Sequence, residues 1–165
     1  MAKKDIAIFA AGCFWGVQDY FDKVPGVNKT TVGYTGGHTD HPTYEQVCSH
    51  KTGHAEATEI EFDPDKASFE LLARHFFKMH DPTQINRQGP DIGDNYRSAI
   101  FYTSEGQHKT ADSLKHELDR SGEFSEPIAT EITAATHFWP AEEYHQKYTE
   151  KTGFGGCHIA YEPLK

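Results

Sequence analysis

Two residues of this 165-residue chain stand where local surroundings would alter their chemistry. Cys13 follows an apolar run, Ile6 to Ala10, and Gly12; it precedes Phe14, Val17, Phe21 and Val24 at helical spacing, which ends at Pro25-Gly26. The pattern predicts a short strand, a turn and a helix, with the cysteine at the turn. A thiol there meets unpaired backbone N–H groups and the positive end of the helix dipole, which favour thiolate. That makes Cys13 a candidate nucleophile; the plainer reading is a small buried apolar residue. Trp15 lies about 100° round the helix from Phe14, on the side of Gln18, Asp19 and Asp22, where it reads as one wall of a small apolar pocket. Residues 55–62 alternate, with Thr58, Ile60 and Phe62 on one face and Glu59 and Glu61 on the other, so parity puts Glu56 on the apolar face. A carboxyl desolvated there rises in pKa toward neutrality and can donate a proton at pH 7. The competing reading is a strand-end glutamate bent out to solvent. Tyr44 and Tyr96, in or beside two long loops, are candidate phenolic donors to a ligand or simply core fillers.

Weaker patterns leave other chemistry open. His38, His41, Cys48, His50 and His54 cluster in one loop, but their spacing is loose for zinc and solvated histidines are the plainer reading. Gly36-Gly37 and Gly155-Gly156 lack the strand–loop–helix setting of a phosphate cradle, and no serine-triad motif is present. Two rivals to thiol redox chemistry stand at this point. One is a lipid-anchored, metal-binding module acylated at Cys13; the other is a Cys-His hydrolase using His54 or His158 as base.

The positioning elements alternate unevenly. Strands are predicted over 6–10, 27–34, 55–62, 96–103 and 128–134. Helices are predicted from Cys13, from Ser68 (Phe69, Leu72, Phe76, Met79), from a Ser104 to Gln107 capping box to about Arg120, and from Pro140 (Tyr144, Tyr148). Loops 35–49 and 81–95 are long enough to carry function. This is an α+β layered domain with a mixed sheet, one domain over 1–165, with an irregular, mobile Gly-rich tail at 152–165. Lys plus Arg number 16 against 25 Asp plus Glu, a net charge of −9, which argues against partners held through phosphates, nucleic acid and anionic lipid alike. Hydrophobic residues at 36% and aromatics at 13% fit a soluble globular chain. Three cysteines without a C-x-x-C pair fit neither a disulfide scaffold nor a zinc knuckle. The apolar run 6–17 is too short to span a bilayer. Ala10-Ala11-Gly12-Cys13 resembles a lipoprotein cleavage box, but an acid at the start and glycines within the run argue against export.

Taken in order, Gly12-Cys13-Phe14-Trp15, Gly33-Tyr34-Thr35-Gly36-Gly37, Pro42-Thr43-Tyr44-Glu45-Gln46-Val47-Cys48, Gly53-His54-Ala55-Glu56-Ala57, His80-Asp81-Pro82-Thr83-Gln84 and the run from Gly89 to Tyr102 resemble the A-type peptide methionine sulfoxide reductases. The resemblance covers nearly the whole chain. It implies a two-layer α/β sandwich with a ferredoxin-like core, and reduction of the S epimer of methionine sulfoxide, free or in proteins. By resemblance Cys13 attacks sulfur, Phe14 and Trp15 enclose the S-methyl group, Glu56 protonates the oxygen, Tyr44 and Tyr96 bind it, and Asp91 helps organise the site. Cys157 is implied as the resolving thiol in the tail, with Cys48 as the alternative; Gly156 replaces the aromatic that commonly precedes that cysteine. Thioredoxin is implied as reductant, with no bound cofactor or metal, and a cytoplasmic monomer is expected.

Overall fold

The apolar run near the start of the chain forms the middle of the sheet. In the computed structural model, which describes residues 4–153 and residue 164, strand β1 spans Asp5–Ala11. Its period-2 alternation sends Ala7, Phe9 and Ala11 to one face and Ile8 and Ala10 to the other. Helix α1 (Phe14–Phe21) follows at once, then β2 (Val27–Thr35), a one-turn helix α2 (Tyr44–Cys48), β3 (Ala55–Phe62) and α3 (Phe69–Met79). Next come a small hairpin of β4 (Arg87–Gln88) and β5 (Asp91–Ile92), a 3-10 turn at Asp94–Tyr96, β6 (Ser98–Tyr102), α4 (Glu105–Ser121), β7 (Glu131–Ala134) and β8 (Trp139–Pro140). A 3-10 turn at Glu143–His145 and α5 (Tyr148–Thr152) complete the described elements. Most of the predicted tail, with Cys157 and His158, lies outside the described residues.

The main sheet runs β7-β6-β1-β3-β2-β8, antiparallel at every pairing except the parallel β6–β7 pair, so it is mixed as expected. Its inner strands, β6-β1-β3-β2, with crossovers through α1 and α3, have the split βαβ order of a ferredoxin-like core. Helices α1, α3 and α4 bury Val17, Phe21, Leu72, Phe76 and Leu114 against one face. The other face is small, with Ala10, Ala55, Ala57 and Ala99, which lets Ala135 and Phe138 approach closely. Because β3 runs antiparallel to β1 and β2, the start of β3 lies beside the ends of β1 and β2 and the start of β6. One end of the sheet therefore gathers Cys13, Tyr34, Glu56 and the residues leading into Ser98.

Three local expectations are corrected. The loop 35–49 contains α2, which forms because Thr43 and Gln46 make a reciprocal capping box. The box at Ser104 is only half made: the Ser104 hydroxyl accepts from the Gln107 N–H, but the Gln107 amide bonds Thr103 and Ile6 instead. The helix expected from Pro140 is absent. Pro140 instead pairs at the sheet edge, where a missing N–H costs nothing, and Glu142 and Gln146 bond to β2 and its neighbours in place of a continuous helical turn.

Phe9 is fully buried, with its ring centroid 5.5 Å from that of Phe21, 5.9 Å from Phe69 and 5.0 Å from Phe76. Phe9→Ala is expected to cost about 3–5 kcal/mol in urea unfolding, whereas exposed Ile85→Ala should change stability by under about 0.5 kcal/mol.

Candidate active site

Glu56 begins the buried face of β3, opposite Tyr34, and is 1% exposed. Parity thus located it correctly; it does not bend out to solvent. Its two oxygens are held separately: the Phe14 N–H donates to Oε1 at 3.3 Å and the Asn95 amide donates to Oε2 at 3.2 Å. Its pKa is raised to about 8 in all: burial pushes it up most, these two donors pull it back, and the nearby charge of Asp91 adds to the rise. The carboxyl is therefore mainly neutral at pH 7, against the residue that follows Cys13. Cys13 itself is half-buried at the N-cap of α1, after Gly12 at φ 91°, a conformation suited to glycine; a Cβ there would also press on Gln88 at 2.8 Å.

An aromatic wall adjoins this pair. Phe14 is fully buried, 5.7 Å from the Tyr34 ring. Trp15 stacks flat on Tyr148, 3.9 Å away at 13°, and its indole N–H donates to His145 Nδ1 at 2.9 Å. Tyr44 packs on the same imidazole at 4.5 Å. Burial, reinforced by the Glu56 carboxyl, raises the Tyr44 and Tyr96 phenols far above their ordinary value, so both remain O–H donors. Asp91, on β5, lies close enough for its charge to act on Glu56 and Tyr96. Cys13, Phe14, Trp15, Tyr44, Glu56, Asp91 and Tyr96 thus come to one end of the sheet. Cys48 also lies there, hydrogen-bonded to the Tyr44 hydroxyl, with its thiol pKa pushed up by burial. Cys157 lies outside the described residues.

Sequence reasoning missed the groups behind this site. Asn95 is the first. Glu142 is the second: it accepts from the Tyr34 hydroxyl at 2.8 Å and from the Tyr44 N–H at 3.0 Å. Burial opposes its ionisation, but these donors and its own N–H outweigh that and lower its pKa. His145 and Gln146 join it, the latter tied to Val32 by both ends of its amide. The run 142–147 carried a signal, since polar residues interrupt the expected apolar spacing, but its partners lie in β2 and α1 and no local pattern names them.

The rival readings fare poorly. His54 uses both ring nitrogens in loop bracing, accepting from the Gly37 N–H at 3.0 Å and donating to the Thr39 carbonyl at 2.7 Å, so it is no base for Cys13. Among the described residues no group of three His, Cys, Asp or Glu side chains is arranged to hold a metal ion, and no helix is long and apolar enough to cross a membrane. The lipoprotein-like box is the end of central strand β1, whose loss would remove the middle of the sheet.

Comparison with known proteins points one way. The family model described as peptide methionine sulfoxide reductase matches residues 5–165. A peptide methionine sulfoxide reductase MsrA of Geobacter sulfurreducens is 58% identical over 152 residues, spanning 92% of this chain and 93% of the relative. One from Methanosarcina acetivorans is 55% identical, over 90% and 79%. Among solved structures, the reduced form of Mxr1 from Saccharomyces cerevisiae superposes with a TM-score of 0.88 at 32% identity, covering 98% of this chain and 93% of that one. Methionine sulfoxide reductase A of Corynebacterium diphtheriae gives 0.82 at 32% identity, over 98% and 81%. The buried acid next to the cysteine turn now has its context: the chain belongs to the peptide methionine sulfoxide reductase family and is an oxidoreductase that reduces methionine sulfoxide.

Proposed function

We propose that Cys13 and Glu56 share one sulfoxide between them. Sulfoxide sulfur is electrophilic, but its oxygen leaves only when protonated, so the reaction needs a thiolate and a neutral acid in one cavity. The observation that carries this reading is the Glu56 carboxyl, 1% exposed, bonded to the N–H beside Cys13 and neutral up to about pH 8. The Cys13 thiolate attacks sulfur, Glu56 gives its proton to the oxygen, and oxygen passes to Cys13. The products are the thioether, a Cys13 sulfenic acid and the Glu56 carboxylate, which balances atoms and charge. Phe14 and Trp15 take the S-methyl group, Tyr44 and Tyr96 donate to the oxygen, and Asp91 sets the field around Glu56. An apolar wall facing polar donors separates methyl from oxygen on a chiral sulfur, in keeping with selection of the S epimer.

Cys157 then attacks the sulfenic acid, releasing water and forming a Cys13–Cys157 disulfide. Thioredoxin reduces that disulfide by exchange; a solved structure of yeast Mxr1 in complex with Trx2 matches this fold with a TM-score of 0.64 at 26% identity. Cys48 is the second candidate for the resolving step, favoured by its contact with Tyr44 at the site. We place the activity in a single domain over 1–165, whose tail at 152–165 carries Cys157, acting as a cytoplasmic monomer without a bound cofactor.

Glu56→Gln keeps the shape and removes the proton; single-turnover reduction of a methionine S-sulfoxide peptide, read by mass spectrometry, is expected to slow by about 10²–10⁴-fold. Because the acid must be protonated and its pKa is raised, the rate controlled by it is retained below about pH 8 and lost above it. An unchanged rate in the variant removes Glu56 from the mechanism. Cys157→Ser should permit one stoichiometric turnover and stop thioredoxin-coupled recycling. Full recycling in that variant assigns the resolving step to Cys48 or to direct reduction.

A further inference from the structure

Asn95 is fully buried and sits in the 3-10 turn that leads into β6, with its amide 3.2 Å from Glu56 Oε2. Its place is secured from behind. Gly93 precedes the turn at φ 144°, and a Cβ there would lie 2.7 Å from Asn95 Oδ1 and 2.3 Å from His50 Cε1. His50 Nδ1 stands 3.4 Å from Asp94 Oδ1, and the Arg97 guanidinium donates to the Asp94 and Gly53 carbonyls, tying the turn to the loop before β3. Asn95 Oδ1 has no hydrogen-bond partner among the described residues despite complete burial. A buried amide left half-satisfied is costly and needs a reason. The reason here is the other half of the same amide, which faces the carboxyl.

We propose that Asn95 is a positioning residue for the acid step, fixing the plane of the Glu56 carboxyl and stabilising the charge that forms on it as the proton leaves. The inference rests on Glu56 as proton donor. With the Phe14 N–H on one oxygen and the Asn95 amide on the other, each oxygen has one lone pair engaged, and the carboxylic proton takes a position that neither donor occupies. When the proton goes to the sulfoxide oxygen, the resulting carboxylate finds two donors already in place and needs no reorganisation. The other ionisable groups that interact with Glu56 are Tyr34 on β2, Tyr44 and Cys48 on α2, Asp91 on β5 and Tyr96 in the 3-10 turn, and Cys13 acts in turn on Tyr96. A change at Asn95 alone leaves all of these in place.

Asn95→Leu keeps the size and removes the donor; Asn95→Ser, smaller and too short to reach, covers the case in which the leucine variant does not fold. Two readouts are taken on full-length protein: the Glu56 titration by carbon NMR of 13C-glutamate-labelled protein, assigned against Glu56→Gln, and the pH dependence of single-turnover sulfoxide reduction. Loss of one hydrogen bond to a charged group should move the Glu56 midpoint up by about one pH unit or more and slow the reductive step at pH 7 by about 10-fold or more. The descending limb of the rate profile should move up with the midpoint. A variant that folds with an unmoved midpoint overturns the inference. A midpoint that moves while the rate profile stays put upholds the contact and overturns the reading of Glu56 as the acid.

Discussion

The structure depends on keeping one carboxyl out of water. An ionised glutamate at the start of a central strand would face a large desolvation cost, and Glu56 escapes it by staying protonated to about pH 8. The cost shows in the sign of the pH dependence. The folded chain holds this proton above the ordinary glutamate range, so no stability is withheld below that range, the penalty grows as pH rises, and it is complete beyond about pH 8. A protein that only needed to fold would place Leu or Val there. The raised pKa is what proton donation to a sulfoxide requires, so the strain on stability and the chemistry share one cause.

The sheet order explains how so few residues build this site. In the β6-β1-β3-β2 arrangement, β3 enters where β1 and β2 leave, so the turn carrying Cys13, the end of β2 with Tyr34 and the start of β3 with Glu56 meet without any long excursion. The two long connections then close over that end. One brings Tyr44 and Cys48 on α2; the other brings Asp91, Asn95 and Tyr96 through the β4–β5 hairpin and its turn. The segment 142–147 locks them from the far side, with Glu142 holding Tyr34 and Tyr44 and His145 holding Trp15.

Much of this was legible because the informative patterns are local. Alternation in β3 put Glu56 on the buried face, and the apolar run ending at Gly12 put Cys13 at a strand-to-helix turn; both follow from periods of 2 and 3.6 within a few residues. The five longer strands followed from the same periods and the mixed sheet from the uneven alternation of elements, whereas the two-residue strands β4, β5 and β8 are too short to show a period. What local pattern could not supply was pairing across the chain. Asn95 gives no sign in sequence that it faces Glu56, and Glu142 and Gln146 gave up a helix for partners in β2. His54 read as a possible base because its two brace contacts lie in a loop with no periodicity to read.

The central claim is that the sulfur of residue 13 and the carboxyl of residue 56 meet on a single S=O group. A crystal structure of the Cys13→Ser protein with a bound methionine S-sulfoxide peptide tests it most directly. The sulfoxide oxygen should lie within about 2.6–3.2 Å of a Glu56 carboxyl oxygen while the sulfur faces the substituted hydroxyl at position 13 and the S-methyl group rests against Phe14 and Trp15. A sulfoxide seated elsewhere, or oriented with its methyl toward Glu56 and its oxygen toward the aromatic wall, would contradict the account.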